Sequence, residues 1–176
     1  MDDKSQQGHS VYLEEHYYSI SIVTKFIQDI GVVIIEKTHC EPVTGSQCWI
    51  YKGRLYFYNQ SQKEIRAGEL LFMAGIIATT PAADRFKLHC RIVDEEYQNM
   101  MVLAWCWAAI HNLGLNIDTL LYSFSDESYY QSFERWTECR FLGVPLLQNA
   151  GMTLEPTRQN TGDAAVFPNM RCWLRR

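Results

Sequence analysis

Gly68-Glu-Leu-Leu-Phe-Met-Ala-Gly-Ile-Ile-Ala-Thr-Thr-Pro81 decides the fold. Read as a helix, it is apolar on nearly every side, through Leu70, Leu71, Phe72, Met73, Ala74, Ile76, Ile77 and Ala78. A helix on the surface of a domain shows one apolar stripe, so a helix apolar all round belongs in the middle of one. Its limits are also written in the sequence. Ser61 and Glu64 form an S-x-x-E capping box, which opens a helix by satisfying its first amides. Pro81 stands just past the end, where a proline stops a helix without breaking it. The expected span is 61–80.

Upstream, residues 10–29 repeat apolar side chains at helical spacing (Leu13, Tyr17, Ile20, Val23, Phe26, Ile27), and Gly31 is placed to end that helix. The β-branched run Val32–Glu36 reads as a buried strand. Residues 41–47 contain Pro42 and Gly45 and read as a loop. Cys48–Tyr51 and Arg54–Tyr58 flank Lys52-Gly53, a two-residue hairpin turn.

Downstream, residues 82–93 form a connector of undefined structure. Asp94, with Glu95 and Glu96 in the first turn, caps a helix that runs to about Asn112 and ends at Gly114. Further helices are expected over 116–122, 126–140 and 145–150, the last opened by Pro145 and closed by Gly151. Residues 155–165 read as a surface loop and 168–174 as a final helical turn or two. The expected fold is α+β: a small sheet, a strand plus a hairpin, packed on a helical body around a central buried helix. Residues 1–10 read as a flexible polar tail and 11–176 as a single domain. No internal repeat or linker interrupts it.

Composition narrows the function classes. Of 176 residues, 47% are hydrophobic and 20% charged, the balance of a folded globular chain. The net charge of -4 and pI near 5.7 argue against binding a phosphate backbone, which needs clustered Lys and Arg. The only local basic group, Arg171, Arg175 and Arg176, is expected as a solvated tail or helix terminus. No apolar run is long enough to span a bilayer, and the polar first ten residues lack a signal-peptide core. A cytoplasmic location without membrane contact is therefore expected, with the six scattered cysteines as free thiols.

The central helix resembles that of a zincin-type metallopeptidase, in which H-E-x-x-H supplies two zinc-binding histidines one turn apart and a catalytic glutamate. The order helix, strand, hairpin, helix, helix is similar to the compact peptidase domains of the phage-repressor-cleaving and stress-regulator class. Further along, the chain resembles bacterial proteins of unassigned function. Their central helix reads L-L-H-E-A-G-H-x-A; here it reads Leu70-Leu71-Phe72-Met73-Ala74-Gly75-Ile76-Ile77-Ala78. Ala104-Trp105-Cys106-Trp107-Ala108-Ala109, Gly143-Val144-Pro145-Leu146-Leu147-Gln148-Asn149-Ala150-Gly151-Met152 and Pro168-Asn169-Met170-Arg171-Cys172-Trp173-Leu174 follow in the matching order. The resemblance covers roughly positions 60–175. It places Phe72 at the first ligand position, Met73 at the acid/base position, Ile76 at the second ligand position and Asn99 near the third, with Glu96 the nearest acid. These vestigial positions imply a peptidase scaffold without its chemistry, with no catalytic residue, no metal and no cofactor.

Other candidates carry plainer readings. His39-Cys40 and His89-Cys90 together hold four zinc-ligand types, but adjacent residues on a strand point to opposite faces, so neither pair chelates easily. His111 stands near a helix C-terminus, where a cation is favoured. Asp94, Glu95 and Glu96 read as capping, and Glu134, Arg135 and Glu138 as a solvated helix face. The aromatics Trp49, Tyr51, Tyr56, Tyr58, Tyr129 and Tyr130 are candidate anchors for a partner, either on the hairpin or on the 126–140 helix.

The expected function is non-catalytic and regulatory: a zincin-like protein that binds another macromolecule, expected to be a protein. The alternatives are a metal-dependent hydrolase whose ligands come from His39, His89, His111 and the acids at 94–96, and an obligate homo-oligomer subunit.

Overall fold

The turn Lys52-Gly53 closes a two-residue hairpin. Both residues take a positive φ, 50° and 69°, as a two-residue turn matched to strand twist requires. Glycine is demanded at the second position twice over, because a Cβ there would also meet the Arg85 carbonyl oxygen at 2.6 Å. The computed structural model describes residues 20–38, 48–58, 67–90, 96–116, 142–160 and 162–176, with the backbone alone at 90 and 96–99. In chain order the elements are helix α1 (20–29), strands β1 (Ile34–Lys37), β2 (Cys48–Tyr51) and β3 (Arg54–Tyr58), and helix α2 (Ala67–Thr79). A 3-10 turn (Arg85–Lys87), strand β4 (His89–Cys90), helix α3 (Glu96–Leu113) and helix α4 (Val144–Asn149) complete them.

The fold is α+β with a mixed sheet in the order β1-β3-β2-β4. β1 runs parallel to β3, while β2 is antiparallel to both β3 and β4. The two-residue β4 extends the expected strand-plus-hairpin sheet from within the connector. β1 starts at Ile34, two residues later than the sequence suggests. Val32 is already engaged, since its amide donates back to the Ile27 carbonyl (3.1 Å) and its side chain is buried at the end of α1. The same backbone closure, to a carbonyl five residues earlier, ends α3 (Leu115 to Ile110, 3.1 Å) and α4 (Met152 to Leu147, 3.0 Å).

Alternation along β2 and β3 turns Cys48, Ile50, Leu55 and Phe57 inward onto α2. α2 contacts β2 and β3 on one side and α3 on the other, so every residue of it but Glu69 is buried. α3 crosses it closely at Gly75, where a Cβ would stand 3.0 Å from Val102 Cγ1 and 3.1 Å from Trp105 Cε3. Trp105 is fully buried, and its Nε1 donates to the Trp173 carbonyl (3.0 Å). Phe26, Trp105 and Trp173 pack in mutual contact, with centroids 4.9–5.9 Å apart, and join α1, α3 and the C-terminal segment. Buried side chains from Val23 to Phe167 belong to one continuous core.

Residues 168–174 do not form the expected helical turn. They follow a cis Phe167–Pro168 bond in an irregular course. Their backbone is committed elsewhere: the Arg171 amide donates to Met152 (2.8 Å) and the Arg175 amide to Ala78 (2.8 Å). The tail expected over 1–10, the Ser61–Glu64 capping box, the Asp94 cap and the helices expected over 116–122 and 126–140 lie outside the described residues.

Candidate functional site

Phe72, Met73 and Ile76 project from α2 into the core, with exposures of 8%, 6% and 1%. Phe72 and Ile76 are one turn apart, the spacing at which two side chains share a helix face. Phenyl and sec-butyl groups offer no lone pair, and a thioether is not among the His, Cys and carboxylate ligands that zinc takes. The residues present at these three positions therefore do not fit a zinc ion. Apolar side chains at these buried positions leave no polar group there in need of a partner. Asn99 lies on the first turn of α3, and its side chain, like that of Glu96, is outside the described part of the structure.

The remaining ligand candidates do not gather. His89 is exposed on β4, and His111 is exposed on the last turn of α3. His39, Cys40, Asp94, Glu95, Glu134, Arg135 and Glu138 lie outside the described residues. Among the described residues, no three His, Cys, Asp or Glu side chains converge on a metal-binding point. Two thiols are in the core, and burial pushes both above the ordinary 9.0; for Cys48 the charge of Glu69 adds to the effect. A thiol held protonated is no nucleophile at neutral pH.

The C-terminal end of α2 shows a feature that residue types alone conceal. The last carbonyls of a helix have no partner within it, and here that end is buried. Arg85 Nε lies within hydrogen-bonding distance of the Ile77 (3.1 Å) and Thr80 (3.2 Å) carbonyls, and the Arg175 amide serves Ala78. Arg85 Nη2 also donates to the Arg175 carbonyl, which ties the C-terminal segment to the cap. The Thr79 and Thr80 hydroxyls turn back on Gly75 (2.8 Å) and Ile76 (2.7 Å). Arg175 is thus a half-buried part of the cap rather than the solvated charge expected.

The outer face of the sheet carries the aromatic candidates. Strand register sets Trp49 beside Tyr56 and Tyr51 beside Arg54 and His89. Trp49 and Tyr56 stack (5.4 Å, 14°), Trp49 meets Tyr58 (4.8 Å), and Tyr51 meets His89 edge-on (4.9 Å, 87°). Lys52 Nζ sits 5.3 Å from the Tyr51 centroid and Lys37 Nζ 5.8 Å from that of Tyr56, contacts worth about 0.5–1 kcal/mol each at exposed positions. Exposure divides the row. Tyr58 is buried at 9% and so is no anchor open to a partner, Trp49 and Tyr56 are half-buried, and Tyr51 is 45% exposed. Tyr129 and Tyr130 lie outside the described residues. The sequence reading missed the basic groups beside these rings: Lys52 and Arg54 flank Gly53 and were there to be seen, whereas Lys37 reaches Tyr56 only through the pairing of β1 with β3.

Comparison with family models, with curated proteins and with solved structures finds no match to this chain. No helix among the described residues is long and apolar enough to cross a membrane.

Proposed function

We propose that this protein is a non-catalytic, zincin-like regulatory domain that acts by binding another macromolecule, a protein, in the cytoplasm. The observation that carries the reading is the burial of Phe72, Met73 and Ile76 on the all-apolar helix α2. They occupy the positions that the resemblance assigns to two zinc ligands and an acid/base, and none of them can bind zinc or move a proton. The space a metal would take is hydrophobic core, and packing there offsets the binding energy a zinc-dependent fold would draw from its ion. The aromatic sheet face supplies a surface of the kind proteins use to hold one another.

Metal analysis of protein purified without chelator tests this. Less than about a tenth of an equivalent of zinc is expected, and a value near one equivalent overturns the reading. In the second case His-to-Ala changes at positions 39, 89 and 111 would locate the ligands.

A further inference from the structure

We propose that the partner docks through an acidic segment on the hairpin end of the sheet, at Tyr51, Lys52, Arg54, Phe86 and His89. This rests on the non-catalytic binding reading and names the chemistry of its partner. Among the large apolar side chains described, few are strongly exposed, and two of these are Tyr51 (45%) and Phe86 (63%). They belong to one end of the molecule: His89 pairs with Tyr51 across the strands, and the 3-10 turn carrying Phe86 abuts the hairpin turn at Gly53. Lys52, Arg54 and Lys37 are exposed, and among the described residues none of them has an ion-pair partner. Lys87 is already matched by Asp84 (2.7 Å). By strand alternation, the described strand residues on this face include no carboxylate, and Asp84 beside Phe86 is the one that Lys87 already matches. In a chain of net charge -4 that is a local reversal of sign.

Charge complementarity decides the occupant. A second copy meeting the first face to face, the commonest arrangement of a homodimer, would oppose like charges. A nucleic-acid backbone draws its affinity from many neutralised phosphates, and three spread cations on an acidic protein supply little of that. A carboxylate-bearing segment with interspersed apolar side chains matches both components: its charges meet Lys52 and Arg54, and its apolar groups cover the exposed rings.

The test is fluorescence anisotropy with a labelled peptide of four Glu-Ser-Glu-Leu repeats, beside a Lys-Ser-Lys-Leu peptide and an oligothymidylate of equal length. The acidic peptide alone should bind, and raising salt from about 0.05 to 0.3 M should weaken it. The double variant Lys52→Asn with Arg54→Gln should bind about tenfold more weakly, and so should Tyr51→Ala. Asn suits the left-handed turn position, so the double variant keeps its fold, with an unchanged melting temperature as the control. Absence of acidic-peptide binding, equal binding of the basic peptide, variants that bind like the parent, or preference for the oligothymidylate each overturn the proposal. Growth of the molecular mass with concentration that is lost in the double variant does so too, because it makes a second copy the occupant. Zinc measured on the same preparation separates the two readings: one equivalent of metal sinks the non-catalytic function, whatever the peptide does.

Discussion

Arg85 shows how one side chain substitutes for solvent. It serves carbonyls at the buried end of α2 and holds the Arg175 carbonyl as well. Its guanidinium is matched to that work, with several donors fixed in a plane and a cation placed at the negative end of a helix. Truncation to alanine strands those acceptors away from water. We expect Arg85→Ala to lower unfolding stability by about 2–3 kcal/mol in urea titration, and Arg85→Lys to recover less than half, since one ammonium cannot span the same carbonyls. Nothing in the sequence marks Arg85 for this role, because its partners are backbone atoms. The same is true of Arg175, which reads as a solvated end charge until the fold delivers it to α2. Phe72, Met73 and Ile76 were legible for the opposite reason: apolar residues on every side of a helix leave it nowhere to go but the core.

At the scale of elements, what was legible is what is local. The hairpin, the ends of α1, α3 and α4, and the burial of α2 follow from turn chemistry, terminal glycines and apolar periodicity within a few residues. β4 and the parallel placement of β1 were not, because two-residue pairing and strand order are settled by partners distant in sequence. Of the cationic patch beside Tyr51, Lys52 and Arg54 stand together in the sequence, and only the arrival of His89 depends on distant pairing. The crossing of α2 and α3 is intermediate: Gly75 is visible in the sequence, but its use is visible only against Trp105. Gly75→Ala would raise intrinsic helix propensity, yet its new methyl would press on Val102 and a fully buried indole. The clash should prevail, with a net loss of about 1–3 kcal/mol and a lower melting temperature. An unchanged or raised melting temperature would show that α3 yields at this crossing.

For the molecule as a whole, the two buried thiols couple stability to alkaline pH. In the unfolded chain Cys48 and Cys106 lose their protons as pH passes their ordinary 9.0, whereas burial keeps them protonated in the folded protein. Above that pH the unfolded state binds fewer protons, so stability is full below about 9 and falls as pH rises further. The slope approaches about 1.4 kcal/mol per pH unit for each thiol. Urea titrations at successive pH values should show the decline, and Cys106→Ala should remove about half of it; a parent and variant with equal slopes would contradict the assignment. The closure of α2 by Arg175 has a consequence for how the protein is made. The central helix emerges from the ribosome early, and Arg85 follows it within a few residues to serve Ile77 and Thr80, but Ala78 and Thr79 must wait for Arg175, synthesised almost a hundred residues later. Until the segment carrying Arg175 has left the exit tunnel, the hydrophobic middle of the nascent chain has no finished boundary. Chaperones that hold apolar helices during translation would therefore find this protein a client over that interval.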